Sequence, residues 1–455
     1  MQTSLKKIKE TSVFLKKQLI KFEKKNILLR ISKKFKSKDL KIFREKLLIW
    51  SNTFSTSTFL NSNNYNTDIG KYECICASEI FTSTPFTLKD STLKLQNYID
   101  KVNDWIFGYI NYDLKNEIES LESNNCDNFN LPNLYFFQPK RIWIIYENHI
   151  EAHYIDSKQI EIDWIEINKI KIQNRTLDHL VPNLNPSLSK KQYVDKIKTL
   201  KNHIYRGDIY EANYCFEWFS ENVTIDPLYV YRNLNRISQS PMSVYFKNDN
   251  LYLMCSSPER YIKKKNNKLI SQPIKGTSRR GVNNVSDLAF KENLKKDPKE
   301  RSENIMIVDL VRNDMSRFSK AGSVKVKELC EVYQFKQVHQ MISTIESELV
   351  DDIKINTIIE GTFPMGSMTG APKVEAMKII DELEVTKRGL YSGAVGFIDP
   401  NKNFDFNVVI RSLIYDSHSK YLSFHVGSAI TSKSIAENEY NECLLKGNAM
   451  ILALT

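Results

Sequence analysis

Apolar and polar residues alternate over residues 141–155 and break at Glu147-Asn148-His149, which predicts two strands joined by a hairpin turn. Residues 43–54 carry apolar side chains at helical spacing, and Asn- and Ser-rich patches near 62–66 and 123–130 read as loops. The first 190 residues therefore read as irregular α+β. Beyond them the periodicities sharpen. Residues 189–205 are helical in pattern, with Ser187 or Ser189 as the cap. Residues 242–277 read as a β-meander with strands over 242–246, 251–255, 260–264 and 268–274, separated by Asn-rich turns. A strand-like run covers 332–345, and a second meander covers 393–431 with turns at 400–403 and 417–420. Helical stretches at 286–313 and 371–382 lie between the meanders. The fold class expected is α/β of the α+β type: two antiparallel sheets packed face to face with helices outside. No fixed-period repeat, Rossmann fingerprint or P-loop is present.

The net charge of +11 changes meaning once it is located. Residues 1–50 hold 16 Lys and Arg against 4 Asp and Glu, a net of +12; the other 405 residues hold 49 against 50, a net of −1. The basicity belongs to an N-terminal extension, in which Leu15, Leu19 and Phe22 fall at helical spacing among lysines. That segment is a solvated, partly helical extension or a basic arm for an acidic partner or membrane surface; a cleaved targeting peptide fits less well, since the charge is nearly all lysine and a signal-peptide core is lacking. No nucleic acid is expected on the body of the chain. No apolar run has the length of a membrane span, and seven cysteines without zinc-knuckle spacing suit reduced thiols in a cytoplasmic protein. The division expected is 1–50 as basic extension and first helix, 51–186 as a variable region, and 187–455 as the catalytic region.

Candidate chemistry concentrates after residue 187. Asp297, Glu300 and Glu303 recur at i, i+3 and i+6, and Glu439, Glu442 and Lys446 at i, i+3 and i+7. Ser434 and Glu437 read as a capping box ahead of the second set. Two helices, each presenting a Glu pair, are either a cage for a hard cation such as Mg2+ or ordinary salt-bridged faces. Lys275, in Pro273-Ile274-Lys275-Gly276-Thr277, is a surface lysine or a nucleophile in constrained backbone. The turn-dense segment 361–373 enters a helix at Pro372 and offers amides and hydroxyls to an anion. Arg411 lies in the apolar run 408–413 and needs a carboxylate partner. His339 is structural or catalytic. Together these describe a site for a small dianion and a divalent metal.

As a set, the motifs resemble those of the chorismate-utilising enzymes, a family that includes anthranilate, aminodeoxychorismate, isochorismate and salicylate synthases. The matching pieces are Arg206-Gly207-Asp208-Ile209-Tyr210, Ser257-Pro258-Glu259-Arg260, Pro273-Ile274-Lys275-Gly276-Thr277, Glu303 with Asp309-Leu310-Val311-Arg312-Asn313-Asp314, Val338-His339, Thr362 through Lys373, Ser392-Gly393-Ala394-Val395-Gly396, Arg411, Gly427 and Glu439-Tyr440-Asn441-Glu442. The resemblance implies Mg2+ on Glu303 and Glu442, with Glu300 and Glu439 behind them. It implies Arg411, Lys446 and the Gly427 backbone as the grip on substrate carboxylates, and His339 beside the departing C4 hydroxyl. Thr362 and Ser367 would line the pocket, Gly276, Thr277 and Tyr391 would bind substrate, and Glu259 would join the catalytic group. Members with alanine at position 275 form anthranilate; those with lysine form 4-amino-4-deoxychorismate through a covalent lysine adduct, for 4-aminobenzoate and folate synthesis. Lys275 places this chain with the second group. The alternatives are an anthranilate-forming member or a non-catalytic protein that kept the fold. The lysine must be neutral to attack, so neighbouring cations, namely Lys446, Arg411 and the metal, are expected to depress its pKa. No glutaminase motif is present, so ammonia is expected from a separate glutamine amidotransferase subunit. Four positions depart from the family pattern: Glu211 stands where glutamine is usual, Ser278 where arginine is common, Gly427-Ser428-Ala429 is poorer in glycine, and Ser432-Lys433-Ser434 lacks a proline.

Overall fold

The computed structural model describes residues 30–65, 72–172, 182–336 and 338–455. The helical spacing of Leu15, Leu19 and Phe22 lies outside the described residues. Among those described, no helix is long and apolar enough to cross a membrane.

The strands join into one antiparallel network that folds into two leaves. The strand Leu134–Ile145 is the hinge. Its first residues pair with Ile106–Ile110, while residues 141–145 pair with Cys74–Ser83 and Ile150–Tyr154. One leaf runs from Cys74–Ser83 through Thr56–Asn61, Met242–Asn248, Leu251–Ser257, Ser412–Asp416 and Tyr421–Ile430 to Glu211–Ser220. The other runs from Ile106–Ile110 through Ala394–Ile398, Phe404–Asn407, Arg260–Lys265 and Lys268–Gln272 to Val338–Glu348, which Lys325–Gln334 borders. Leu60, Ile75, Val244 and Leu253 of the first leaf meet Phe107, Val395, Phe406 and Leu269 of the second in one core. The opposite face of the first leaf (Cys74, Cys76, Phe216, Phe424) is covered by the helices Leu40–Ser51, Lys190–Arg206, Pro227–Ser238 and Ala436–Ala453. The face-to-face arrangement with outer helices is the one expected, with the two sheets joined at the hinge strand.

Both meanders change leaf halfway. The chain leaves the first leaf after Ser257 and enters the second at Arg260; it returns from Asn407 to Ser412. The two crossovers bond to each other, Val408 N to Glu259 O at 3.0 Å and Ser256 N to Arg411 O at 3.1 Å. Arg411 is therefore not on a strand, as the apolar run suggested. It sits in the crossover with φ 52°, a left-handed backbone uncommon outside glycine. Strands of region 51–186 are bonded directly to strands beyond residue 187.

Three local expectations are corrected. The long helix over 286–313 is two helices, Asn284–Lys296 and Pro298–Ser316, broken at Asp297. Proline disfavours helical backbone at the residue before it, and the Asp297 side chain accepts from Lys299 N and Glu300 N as an N-cap. The run 332–345 is two strands, Lys325–Gln334 and Val338–Glu348. Ser434 does not cap the last helix: its Oγ accepts from Thr431 N and donates to Ala429 O, closing the preceding turn.

Candidate functional site

The crossovers open on a cavity of about 480 Å³. Its walls are Pro258-Glu259, Ile274–Arg279, the first turns of Pro298–Ser316, Ile410-Arg411, the end of Tyr421–Ile430 and the helix Ala436–Ala453. It gathers Glu259, Lys275, Gly276, Thr277, Glu300, Glu303, Ser367, Tyr391, Arg411, Gly427, Glu439, Glu442 and Lys446 from segments far apart in sequence.

Two of the expected residues lie elsewhere. His339 is fully buried, with Nε2 2.9 Å from Asp287 Oδ1. Arg280 clamps the same carboxylate through Nε and Nη2. Successive side chains of a strand point to opposite faces, and here Val338 and Gln340 line the cavity instead. Thr362 stands behind the cavity wall, its Oγ1 donating to Ile358 O and 2.5 Å from Tyr261 OH. It lines a small neighbouring recess that also touches Glu259 and Ser367.

Lys275 is held from three sides. Its side chain is 11% exposed, and Nζ lies 2.7 Å from Oε1 of the fully buried Glu211. Asn304, on the helix Pro298–Ser316, donates to the Lys275 carbonyl at 3.1 Å and to the Met341 carbonyl at 3.3 Å, locking that helix to both strands. Gly276 has φ 104°, and a Cβ there would lie 3.1 Å from Glu300 Oε2 and from Met341 Cβ. Burial disfavours the Lys275 ammonium, but the carboxylates of Glu211, Glu303 and Glu259 outweigh it, and its pKa is raised. The expected depression does not come from the two side-chain cations: Lys446 lies against Glu442 Oε1 at 2.6 Å and the Gly427 carbonyl at 3.0 Å, and Arg411 Nη1 lies 3.5 Å from the Lys446 carbonyl.

The carboxylates carry their own strain. Burial pushes Glu259 up to about 7, although Ser367 Oγ donates to it at 2.7 Å. Burial likewise pushes Glu303 up to about 7 against the pull of Lys275. Glu303 Oε1 makes no hydrogen bond. Lys299 Nζ stands 3.8 Å from Glu303 and 3.5 Å from Glu439, a cation already drawn between the two helices. Among the described residues no three His, Cys, Asp or Glu side chains converge as a preformed metal cage. Magnesium does not need one, since one or two carboxylates suffice when water and substrate oxygens complete its octahedron. An unbonded buried carboxylate oxygen and a stand-in ammonium fit a divalent cation.

Other groups went unread in the sequence. Arg388 is buried and donates to the carbonyls of Met368 and Asn213, fixing two wall segments, while its other bonds go to Glu384 and Ser392 Oγ. His425, 4% exposed, stacks on Tyr391 at 5.1 Å with both ring nitrogens unpartnered, and burial lowers its pKa to about 3, so the ring is neutral. Gln340 Oε1 is buried without a partner. Asp314, in the Asp309–Asp314 motif, pairs with Lys373 at 2.6 Å and ties two motifs together. Asp314 is legible only as part of its motif, and Arg388, His425 and Gln340 carry no local signal, because their burial is set by segments distant in sequence.

Comparison with known proteins agrees with this geometry. A profile of the chorismate binding enzyme family matches residues 57–452. Aminodeoxychorismate synthase component 1 of Bacillus subtilis is 30% identical over 360 residues, covering 76% of each chain. The Arabidopsis thaliana aminodeoxychorismate synthase is 34% identical over 365 residues, 75% of this chain but only 39% of that one. Anthranilate synthase component 1 of Aquifex aeolicus is 30% identical over 369 residues, 77% of this chain and 74% of that one. The crystal structure of anthranilate synthase component I from Streptococcus pneumoniae superposes with a TM-score of 0.74 at 25% identity, covering 85% of this chain and 93% of that one. With the profile spanning most of its length and the cavity assembled from the same motifs, the chain belongs to the chorismate-binding enzyme family.

Proposed function

We propose that the chain replaces the C4 hydroxyl of chorismate with an amino group, as aminodeoxychorismate synthase component I, through a covalent adduct on Lys275. The observation that supports this most is a primary amine at position 275, held against the buried Glu211 carboxylate in the cavity that also gathers Glu259, Glu303, Glu442 and Arg411. Arg411 has no carboxylate within ion-pair distance among the described residues and suits a substrate carboxylate. Lys446 and the Gly427 backbone complete that grip. Glu303 and Glu442 would hold Mg2+, with Glu300 and Glu439 orienting them, and the ion would neutralise the ring carboxylate. The Lys275 amine attacks ring C2, the ring double bond shifts, and the C4–O bond breaks. Glu259, whose pKa of about 7 leaves it partly protonated at neutral pH, supplies the proton with which the hydroxide leaves as water. Ammonia then adds at C4 and expels the lysine amine.

Ammonia would come from a separate glutamine amidotransferase subunit, and the product would pass toward 4-aminobenzoate and folate. A cytoplasmic setting suits seven cysteines, none of them paired. Anthranilate formation is the second reading, favoured by the equal identity of the Aquifex aeolicus enzyme; the lysine at 275 speaks for the first.

The test is a product assay with purified chain, chorismate, magnesium and excess ammonium. The expected product is converted to 4-aminobenzoate by an added aminodeoxychorismate lyase; anthranilate would sink the proposal. Glutamine in place of ammonium should give no turnover without a partner subunit. Lys275→Ala should lower turnover by up to roughly 10⁶-fold, the scale of losing a nucleophile.

A further inference from the structure

We infer that Glu211 is the proton acceptor that frees the Lys275 amine for attack, an inference that rests on the covalent reading above. Lys275 is a cation in the resting cavity, and a protonated amine has no lone pair to offer. Something within hydrogen-bond reach must take its proton as substrate arrives. The groups facing Lys275 are Glu211, Glu259, Glu303 and, more remotely, Glu442. Only Glu211 is in contact, at 2.7 Å.

The other three have other partners. Glu259 accepts from Ser367, Glu303 faces Lys299, and Glu442 is paired with Lys446. Glu211 has none besides Lys275: its Oε2 is buried and makes no hydrogen bond. The residue is 1% exposed, and its backbone is pinned where Ala371 pairs with it at the end of the turn-dense segment. A glutamine at this position could hold the lysine but could not take its proton.

The proton balance closes. Lys275–NH3+ passes one proton to the Glu211 carboxylate. The neutral amine forms the N–C2 bond, the C4–O bond breaks, and Glu259 protonates the departing hydroxide to water. The adduct is a secondary ammonium. When ammonia forms the C4–N bond, the C2–N bond breaks with its electron pair returning to Lys275, which recovers its proton from Glu211. The C4 ammonium returns one proton to Glu259. The net change is chorismate plus ammonia to aminodeoxychorismate plus water.

The experiment follows adduct formation on the full chain by rapid quench and intact mass, with chorismate and magnesium but no ammonia, from pH 6.5 to 9.5. In the wild type the adduct rate should fall about tenfold per pH unit above pH 7, as Glu259 loses the proton it must give to the leaving hydroxide. In Glu211→Gln the rate at pH 7 should be lower by about 10²-fold, the lower end of general acid–base effects, and stay level toward pH 9.5, because the free amine that accumulates offsets the loss of the Glu259 proton. A Glu211→Gln rate equal to wild type, or a low rate that falls with pH as the wild type does, overturns the inference. Glu211→Asp keeps a carboxylate on a shorter arm and covers the case in which the Gln variant does not fold. It should be slower than wild type but keep the wild-type fall above pH 7, and a level profile there also overturns the inference. No adduct in the wild type would instead remove the covalent reading itself, so the two failures are distinct.

Discussion

At the scale of single residues, the interior of this protein holds carboxyl groups where water cannot reach them, and that has consequences outside the site. Glu217 is 1% exposed on the strand Glu211–Ser220 and accepts from Tyr421 OH at 3.0 Å and Asn128 Nδ2 at 3.3 Å. Burial outweighs those bonds and raises its pKa to about 7. The folded-state pKa lies above the unfolded one, so between about pH 4.5 and 7 the folded chain keeps a proton that the unfolded chain has released. Stability is then highest below the unfolded pKa, falls as pH rises through this window, and levels off above it; Glu217 alone contributes about 3 kcal/mol to the fall. Glu217→Gln keeps an acceptor for Tyr421 and removes the ionisation. Urea midpoints at pH 5, 6, 7 and 8 should show a shallower decline in the variant, and parallel curves would refute the assignment. Gly427 is constrained sterically. A Cβ there would lie 2.4 Å from Cys215 Sγ and 2.8 Å from the Tyr214 carbonyl, and the carbonyl belongs to a paired strand that cannot retreat. Gly427→Ala should cost about 1–3 kcal/mol as overpacking and, by moving the carbonyl that binds Lys446, raise the KM for chorismate.

At the scale of elements, the helix Pro298–Ser316 is the part on which the site depends most. It carries Glu300 and Glu303 into the cavity and Asn304 onto the Lys275 backbone. Its start is fixed by Asp297, whose carboxylate takes the amides of Lys299 and Glu300 at 2.8 and 3.0 Å. Asp297→Ala should destabilise the protein by about 1 kcal/mol, the usual worth of such a cap, and weaken Mg2+ binding measured by calorimetry, because the first turn bears Glu300. An unchanged melting temperature would show that Pro298 alone sets the break. That break was legible: Asp-Pro inside a helical pattern is a stop followed by a cap, and only the periodicity on either side concealed it. The hairpin at 147–149 came straight from turn chemistry, and capping chemistry narrowed the start of the helix Lys190–Arg206 to Ser187 or Ser189, of which Ser189, completed by Gln192, is the cap. The facing of His339 was not legible, since period two says that neighbours point apart but not which of them meets the cavity. Nor was the role of Glu211, whose partner lies on a strand separated from it by the whole first meander. The sequence set the residues of the site; their pairing came from the sheet.

At the scale of the molecule, the decisive feature is that both meanders cross between leaves at the same place, so Glu259 and Arg411 reach one cavity from opposite directions. That place exists only because the leaves are held together, and much of what holds them comes from before residue 187. Ala394–Ile398 is bonded along its length to Ile106–Ile110, and Met242–Asn248 to Thr56–Asn61. The core between the leaves takes Leu60, Ile75, Phe107, Ile110 and Phe136 from that region and Val244, Leu253, Val395, Phe406 and Leu269 from beyond it. A fragment of residues 187–455 would keep every motif of the site, yet it would bare two strand edges and lose about a third of the core between the leaves. Exposed edges pair with other chains, and a core that has lost so much of its apolar packing cannot offset the entropy of ordering the backbone. The fragment expressed alone is therefore expected to aggregate or to lack a cooperative thermal transition by circular dichroism. Adding residues 30–186 as a separate chain should restore a folded complex, with chorismate binding returning in proportion. A soluble, cooperatively melting 187–455 fragment that binds chorismate would show instead that the boundary at residue 187 separates two independently stable units.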